Sequence, residues 1–96
     1  MLGSDQWNWI KNDLYNNNST WTIMFSHRPM YTSSSYKYVG DNRMAINIQI
    51  ELEDILYGKV DVFFAGHYHA YERSCRMRNY QCDTNGIVNI LGMAVF

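Results

Sequence analysis

Apolar positions recur along this chain with two different periods. Trp7, Ile10 and Leu14 are spaced by three and four residues, which predicts an amphipathic helix with Ser4 as its N-cap and the Asn16-Asn17-Asn18 run as its end. Trp21 to Phe25 reads as a short apolar strand. It runs into Ser26-His27-Arg28-Pro29, where the proline excludes helix and pushes Arg28 toward extended geometry, so His27 falls at a strand's carboxyl end. Met30 to Gly40, rich in Ser and Tyr, reads as a long polar loop.

From Asp41 to Tyr57 the periods compete. Ile46, Ile48, Ile50 and Leu52 alternate like a strand, while Met44, Ile48, Leu52 and Ile55 follow a helical stripe; length favours the helix, and Gly58 is its stop. Val60 to Ala65 is nearly continuous apolar sequence, which predicts a strand buried on both faces. Tyr71 to Met77 reads as extended, Asn79 to Asn85 as a turn-rich loop, and Ile87 to Leu91 as the last strand. This order predicts an α/β domain, a mixed β-sheet with flanking helices.

Composition narrows the partners. The chain has 96 residues, 47% of them hydrophobic and 16% aromatic, which is globular and sufficient for one domain at most. A formal net charge of −1 argues against a dedicated nucleic-acid or anionic-membrane surface. Arg73, Arg76 and Arg78 form the local basic cluster, read as solvated arginines on a strand or hairpin. No apolar run reaches the roughly 18 residues that a membrane span needs, and the Met1 to Asp5 opening carries no signal-peptide pattern. Asn17 and Asn18 are overlapping glycosylation acceptors, and Cys75 and Cys82 are close enough in sequence for a hairpin disulfide or for two free thiols.

The chemistry concentrates in histidine. His27, His67 and His69 all fall where strands give way to loops, the place where open sheets gather ligands. If residues 67 and 69 stay extended, both rings project to one side with alpha carbons roughly 6.6 Å apart. Neutral imidazoles so placed are ligands for Zn, Fe and related ions, or hydrogen-bonded histidines of the fold.

The run Ser26-His27-Arg28-Pro29-Met30-Tyr31, followed by Gly66-His67-Tyr68-His69-Ala70-Tyr71-Glu72-Arg73, resembles the purple acid phosphatases of the calcineurin-like metallophosphoesterase superfamily. The opening Gln6 to Leu14 and the close Gly86 to Gly92 are similar to the same family in the same order, so the resemblance covers nearly all of residues 1–96. It implies part of a four-layer αββα sandwich and a dinuclear centre, Fe3+ with Fe2+, Zn2+ or Mn2+, that hydrolyses phosphate monoesters. By resemblance His27 and His67 bind the divalent ion and His69 the ferric ion. A secreted, lysosomal or vacuolar location is implied in the same way.

The family's other ligands are aspartates, a tyrosine and an asparagine in Gly-Asp-x-Gly, Gly-Asp-x-x-Tyr and Gly-Asn-His motifs, which lie N-terminal to the matched region. This chain therefore resembles the C-terminal portion of a catalytic domain that supplies the histidine half, with the remainder or a partner chain supplying the rest. Three neutral imidazoles balance no trivalent charge, so one weakly held divalent ion is the most expected of residues 1–96 alone. Ser26 replaces the family's usual glycine, and Tyr36-Lys37-Tyr38 stands where plant members carry histidines. Lys37 is a candidate phosphate contact and a poor acid, which leaves the general acid unassigned. Tyr31 is either a pocket-rim contact or a packing residue. Glu72 and Arg73 either orient ligand histidines or pair on the surface. Two other classes compete: a structural zinc held by His67, His69, Cys75 and Cys82, and a degenerate or split fragment that acts as an assembly module.

Overall fold

The computed structural model describes residues 2–32, 39–66 and 71–92, with backbone only for 39–44. Helix α1 spans Asp5–Tyr15; its first turn is capped by the Ser4 side chain, which accepts from the Trp7 N–H at 3.2 Å. Strand β1 (Ile23–Ser26) follows, then α2 (Val39–Leu56), β2 (Val62–Ala65), β3 (Glu72–Arg78), β4 (Gln81–Cys82) and β5 (Ile87–Leu91). The five strands form one sheet in the order β1-β2-β5-β3-β4, in which β1, β2 and β5 are parallel and β3 and β4 antiparallel. The mixed sheet with flanking helices expected from the sequence is therefore what forms.

Helix wins over strand at 39–56, and the expected stripe faces the core, with the side chain of Met44 outside the described residues. Ala45, Leu52, Glu53 and Leu56 are buried, Ile48 and Ile55 pack at the margin, and Ile46 and Ile50 are exposed. The helix ends at Gly58 as expected, with a positive φ of 73° that a glycine adopts without cost. Leu56 accepts from both the Lys59 and Val60 N–H groups there.

The loop expected over Asn79–Asn85 contains a strand. Asn79 and Tyr80 form a two-residue hairpin turn with φ of 51° and 63°, the twist that joins β3 to β4. Cys75 and Cys82 close that hairpin as a disulfide with Cα atoms 5.8 Å apart. Gly86 then passes so near β3 that a Cβ would lie 2.6 Å from the Met77 carbonyl oxygen, so only glycine fits.

Both helices lie on one face of the sheet. Leu14 of α1, Leu52 and Leu56 of α2, and Phe63, Ala65, Ile87 and Leu91 of the strands share one core with Met30 and Val60. The expectation that β2 is buried on both faces fails: Phe63 and Ala65 are buried, while Val62 and Phe64 on the other face are only half-buried. Phe64 stacks on Phe25, which is 75% exposed, and Ile23 beside it is 52% exposed. The registers Ile23–Val62–Val88 and Phe25–Phe64–Ile90 run this apolar face across three strands.

Candidate metal centre

One edge of the sheet gathers the carboxyl ends of the parallel strands. Ser26 is in register with Ala65, and Ala65 with Leu91. Beyond the ladder the Gly66 N–H donates to the His27 carbonyl at 3.0 Å, and the Gly92 N–H to the Ala65 carbonyl at 2.9 Å. His27 is thus fixed beside Gly66, the residue that precedes His67 in sequence. Because β3 is antiparallel, Glu72 is in register with Leu91 and stands at this same edge. Gly66 and Tyr71, the described neighbours of residues 67–70, therefore both belong to the His27 end of the sheet.

His67, His69 and Lys37 lie outside the described residues. Among the described residues no three His, Cys, Asp or Glu side chains converge to hold an ion. Of the sequence-predicted ligands, then, the structure describes the exposed His27, and its place at a strand's carboxyl end is as the Pro29 argument predicts.

Behind His27 the chain turns inward. Pro29 is buried and Met30 has no exposed surface, while the Met30 carbonyl accepts from the Gln49 side chain of α2. Tyr31 packs against the core, and its hydroxyl donates to the Glu53 carboxylate. Burial first, and then the hydrogen bond to Glu53, raise the phenol well above its ordinary pKa. The phenol is a protonated donor, and its ring meets the Tyr80 ring edge-on at 5.3 Å between centroids.

Next to this segment lies an open cavity of about 610 Å³ between α2 and the β3–β5 ladder, its walls including Met30, Tyr31, Gln49, Glu72 and Asn89. Glu72 accepts from the Thr32 hydroxyl at 3.2 Å, which ties the start of β3 to the segment after His27. Arg73, its neighbour, is exposed and in register with Ile90 of the bare face. Tyr31, Glu72 and Arg73 thus line one cavity, with Arg73 at its exposed margin.

The rest of the basic cluster lies on the hairpin as expected, but half-buried and paired instead of solvated. Arg76 reaches the Gly86 carbonyl at 3.2 Å and the Asp61 carboxylate at 3.4 Å. Arg78 lies 4.1 Å over the Tyr57 ring and pairs with Asp54. Asn17 and Asn18 are exposed on the turn after α1, where the Asn17 amide donates to the Thr22 hydroxyl at 2.7 Å.

Two buried polar residues escaped the sequence reading. Glu53 accepts from the Tyr31 hydroxyl and from the Asn79 N–H at 3.1 Å. Asn89 donates its side-chain amide to the Ile87 carbonyl at 3.0 Å and leaves its amide oxygen without a partner among the described residues. The periodicity carries a partial signal for Glu53, since it lies one residue from Leu52 and three from Leu56 on a helical face. Its partners lie far away in sequence, where no pattern reaches.

No protein-family model matches the chain. In sequence it is 40% identical over 92 residues to purple acid phosphatase 18 of Arabidopsis thaliana, across 91% of this chain and 20% of that protein. It is 42% identical over 77 residues to a purple acid phosphatase of Glycine max, across 77% of this chain and 16% of that protein. Among solved structures, a purple acid phosphatase from yellow lupin (Lupinus luteus) seeds superposes with a TM-score of 0.71 at 25% identity, across 93% of this chain and 18% of that one. The chain spans about a fifth of the length of these relatives.

Proposed function

We propose, for a chain that belongs to the purple acid phosphatase family, that residues 1–96 contribute the histidine half of a dinuclear metal centre that hydrolyses phosphate monoesters. The observation that supports this most directly is the Gly66 N–H to His27 carbonyl bond, which joins the first ligand motif to the start of the Gly-His-x-His motif. By resemblance to the family, His27 and His67 would hold the divalent ion and His69 the ferric one. The donor chemistry fits a divalent ion, since neutral imidazoles suit zinc and its neighbours, and it does not balance a ferric charge without the carboxylates of the remaining motifs. When bound, such a pair of cations neutralises the phosphoryl oxygens and acidifies a coordinated water.

What this chain does is bind and orient. The strand ladder holds the His27 backbone, and Pro29, Met30 and Tyr31 anchor the segment behind it. Tyr31 keeps its proton, so it supports the segment as a hydrogen-bond donor and adds no negative charge to the centre. Glu72 orients the same segment through Thr32. None of the described residues is assigned as general acid, and Lys37 is retained as a phosphate contact only.

The remaining ligands belong to chain that covers the bare face of the sheet. Ile23, Phe25, Val62, Phe64, Val88 and Ile90 form an apolar surface of the kind that proteins bury against a second layer, and the relatives are about five times longer. With Cys75 and Cys82 joined they offer no thiolates, so the structural-zinc alternative keeps two imidazoles. The disulfide and the two sequons favour an oxidising compartment, secreted or vacuolar. Among the described residues no helix is long and apolar enough to cross a membrane.

The test is hydrolysis of a chromogenic phosphate ester by residues 1–96 alone and by the same residues co-expressed with a segment that carries the aspartate and Gly-Asn-His motifs. Little turnover alone, restored by the segment and abolished by His67→Ala, is the expected result. Brisk turnover by residues 1–96 alone would overturn the division of ligands.

A further inference from the structure

We propose that Glu53 is a positioning residue for His27: its buried carboxylate links the segment behind the histidine to helix α2 and to the tip of the β3–β4 hairpin. The inference rests on the metal-centre reading above and adds a residue to it that no motif contains.

Glu53 is 5% exposed, among Leu52, Leu56 and the core. A charge in such surroundings is costly unless hydrogen bonds compensate it. Both carboxylate oxygens are engaged, one by the Tyr31 hydroxyl and the other by the Asn79 N–H. These two partners lie on segments separate from each other and from the helix, so one side chain holds three parts of the fold together. His27 then sits between two fixed points, the β1–β2 ladder on one side and the Met30–Tyr31 anchor on the other. Little freedom is left to its backbone.

The hairpin tip supplies an independent sign. Tyr80 has a φ of 63°, a left-handed conformation that costs a side-chain-bearing residue roughly 1–2 kcal/mol and that glycine takes freely at this turn position. Its ring is the one that meets Tyr31 edge-on. Backbone strain is thus located at the residue that touches the His27 segment, which is where strained residues with a role are found. The Cys75–Cys82 disulfide closes the same hairpin from the other end. The raised pKa of Tyr31 agrees with this arrangement, because it keeps the hydroxyl a donor to Glu53.

The experiment compares the 96-residue chain with Tyr31→Phe, Tyr80→Gly and Glu53→Gln, by amide hydrogen exchange and by Zn2+ titration. Tyr31→Phe keeps the ring and loses the link, so exchange across residues 27–32 should rise about tenfold, with β5 still protected, and Zn2+ affinity should fall about tenfold, as loss of an orienting partner does in metal sites. Tyr80→Gly relieves the turn and should still loosen residues 27–32. Glu53→Gln keeps the volume but replaces one of the two engaged acceptors by a donor, so it should weaken Zn2+ binding by less than Tyr31→Phe does, whereas a purely space-filling role predicts no change. Unchanged exchange at 27–32 in both Tyr31→Phe and Tyr80→Gly would overturn the proposal. So would a loosened segment that binds Zn2+ as tightly as before. A wild-type chain that takes up no Zn2+ overturns the metal reading itself, and the positioning role with it.

Discussion

The two faces of the sheet differ more than any other pair of regions in this molecule. One face carries Phe63, Ala65, Ile87 and Leu91 beneath both helices; the other carries Ile23, Phe25, Phe64 and Ile90 with no helix over it among the described residues. The three parallel strands are apolar on both sides, so their sequence suits two buried faces, of which the described residues cover one. The histidine edge joins the two faces, which is why a site built there depends on what packs on each.

The covered face should bear nearly all of the stability. Phe63→Ala removes a ring that is 1% exposed and should cost about 3–5 kcal/mol, a large share of the roughly 5–15 kcal/mol that a domain has; chemical denaturation of the variant measures it. Breaking the hairpin with Cys75→Ser and Cys82→Ser should cost less, about 2–3 kcal/mol for so short a loop, and thermal melting with and without reductant checks it. Phe25→Ala on the bare face loses the stack on Phe64, about 1 kcal/mol or less. It should also reduce self-association in sedimentation, because it removes exposed apolar surface. A bare-face loss as large as that of Phe63→Ala would erase the contrast.

The smallest effect is confined to alkaline pH. The folded-state pKa of Tyr31 is raised above the ordinary 10.0 of a tyrosine, so the neutral phenol is the form that folding favours. Its contribution is complete below pH 10 and is lost as pH rises through the folded value. Denaturation curves across that window should show stability falling in the wild type, and Tyr31→Phe should remove part of the slope.

The sequence made the covered face largely legible and the site only partly so. Ser4 as cap, Gly58 as stop and Pro29 after a strand are local signals, and each element they bound is present. The helical stripe of α2 is legible, since Ile48, Leu52 and Ile55 lie in or against the core; Glu53 is not, because it looks like a surface residue and is buried by partners at positions 31 and 79. Strand β4 was hidden because Asn79 and Tyr80 form a turn whose glycine-like conformation no glycine announces. Burial of β2 on both faces follows from composition and fails because the described residues do not supply a second layer.

The central claim is that His27 and His67 hold one divalent ion together. Titration of the 96-residue chain with Zn2+, in parallel with His27→Ala and His67→Ala, tests it most directly. The account predicts weak binding of a single equivalent, lost with His67→Ala and weakened at least tenfold with His27→Ala. Binding that is unchanged in His27→Ala would contradict it, because the His27 imidazole would then be no ligand of the ion that His67 holds.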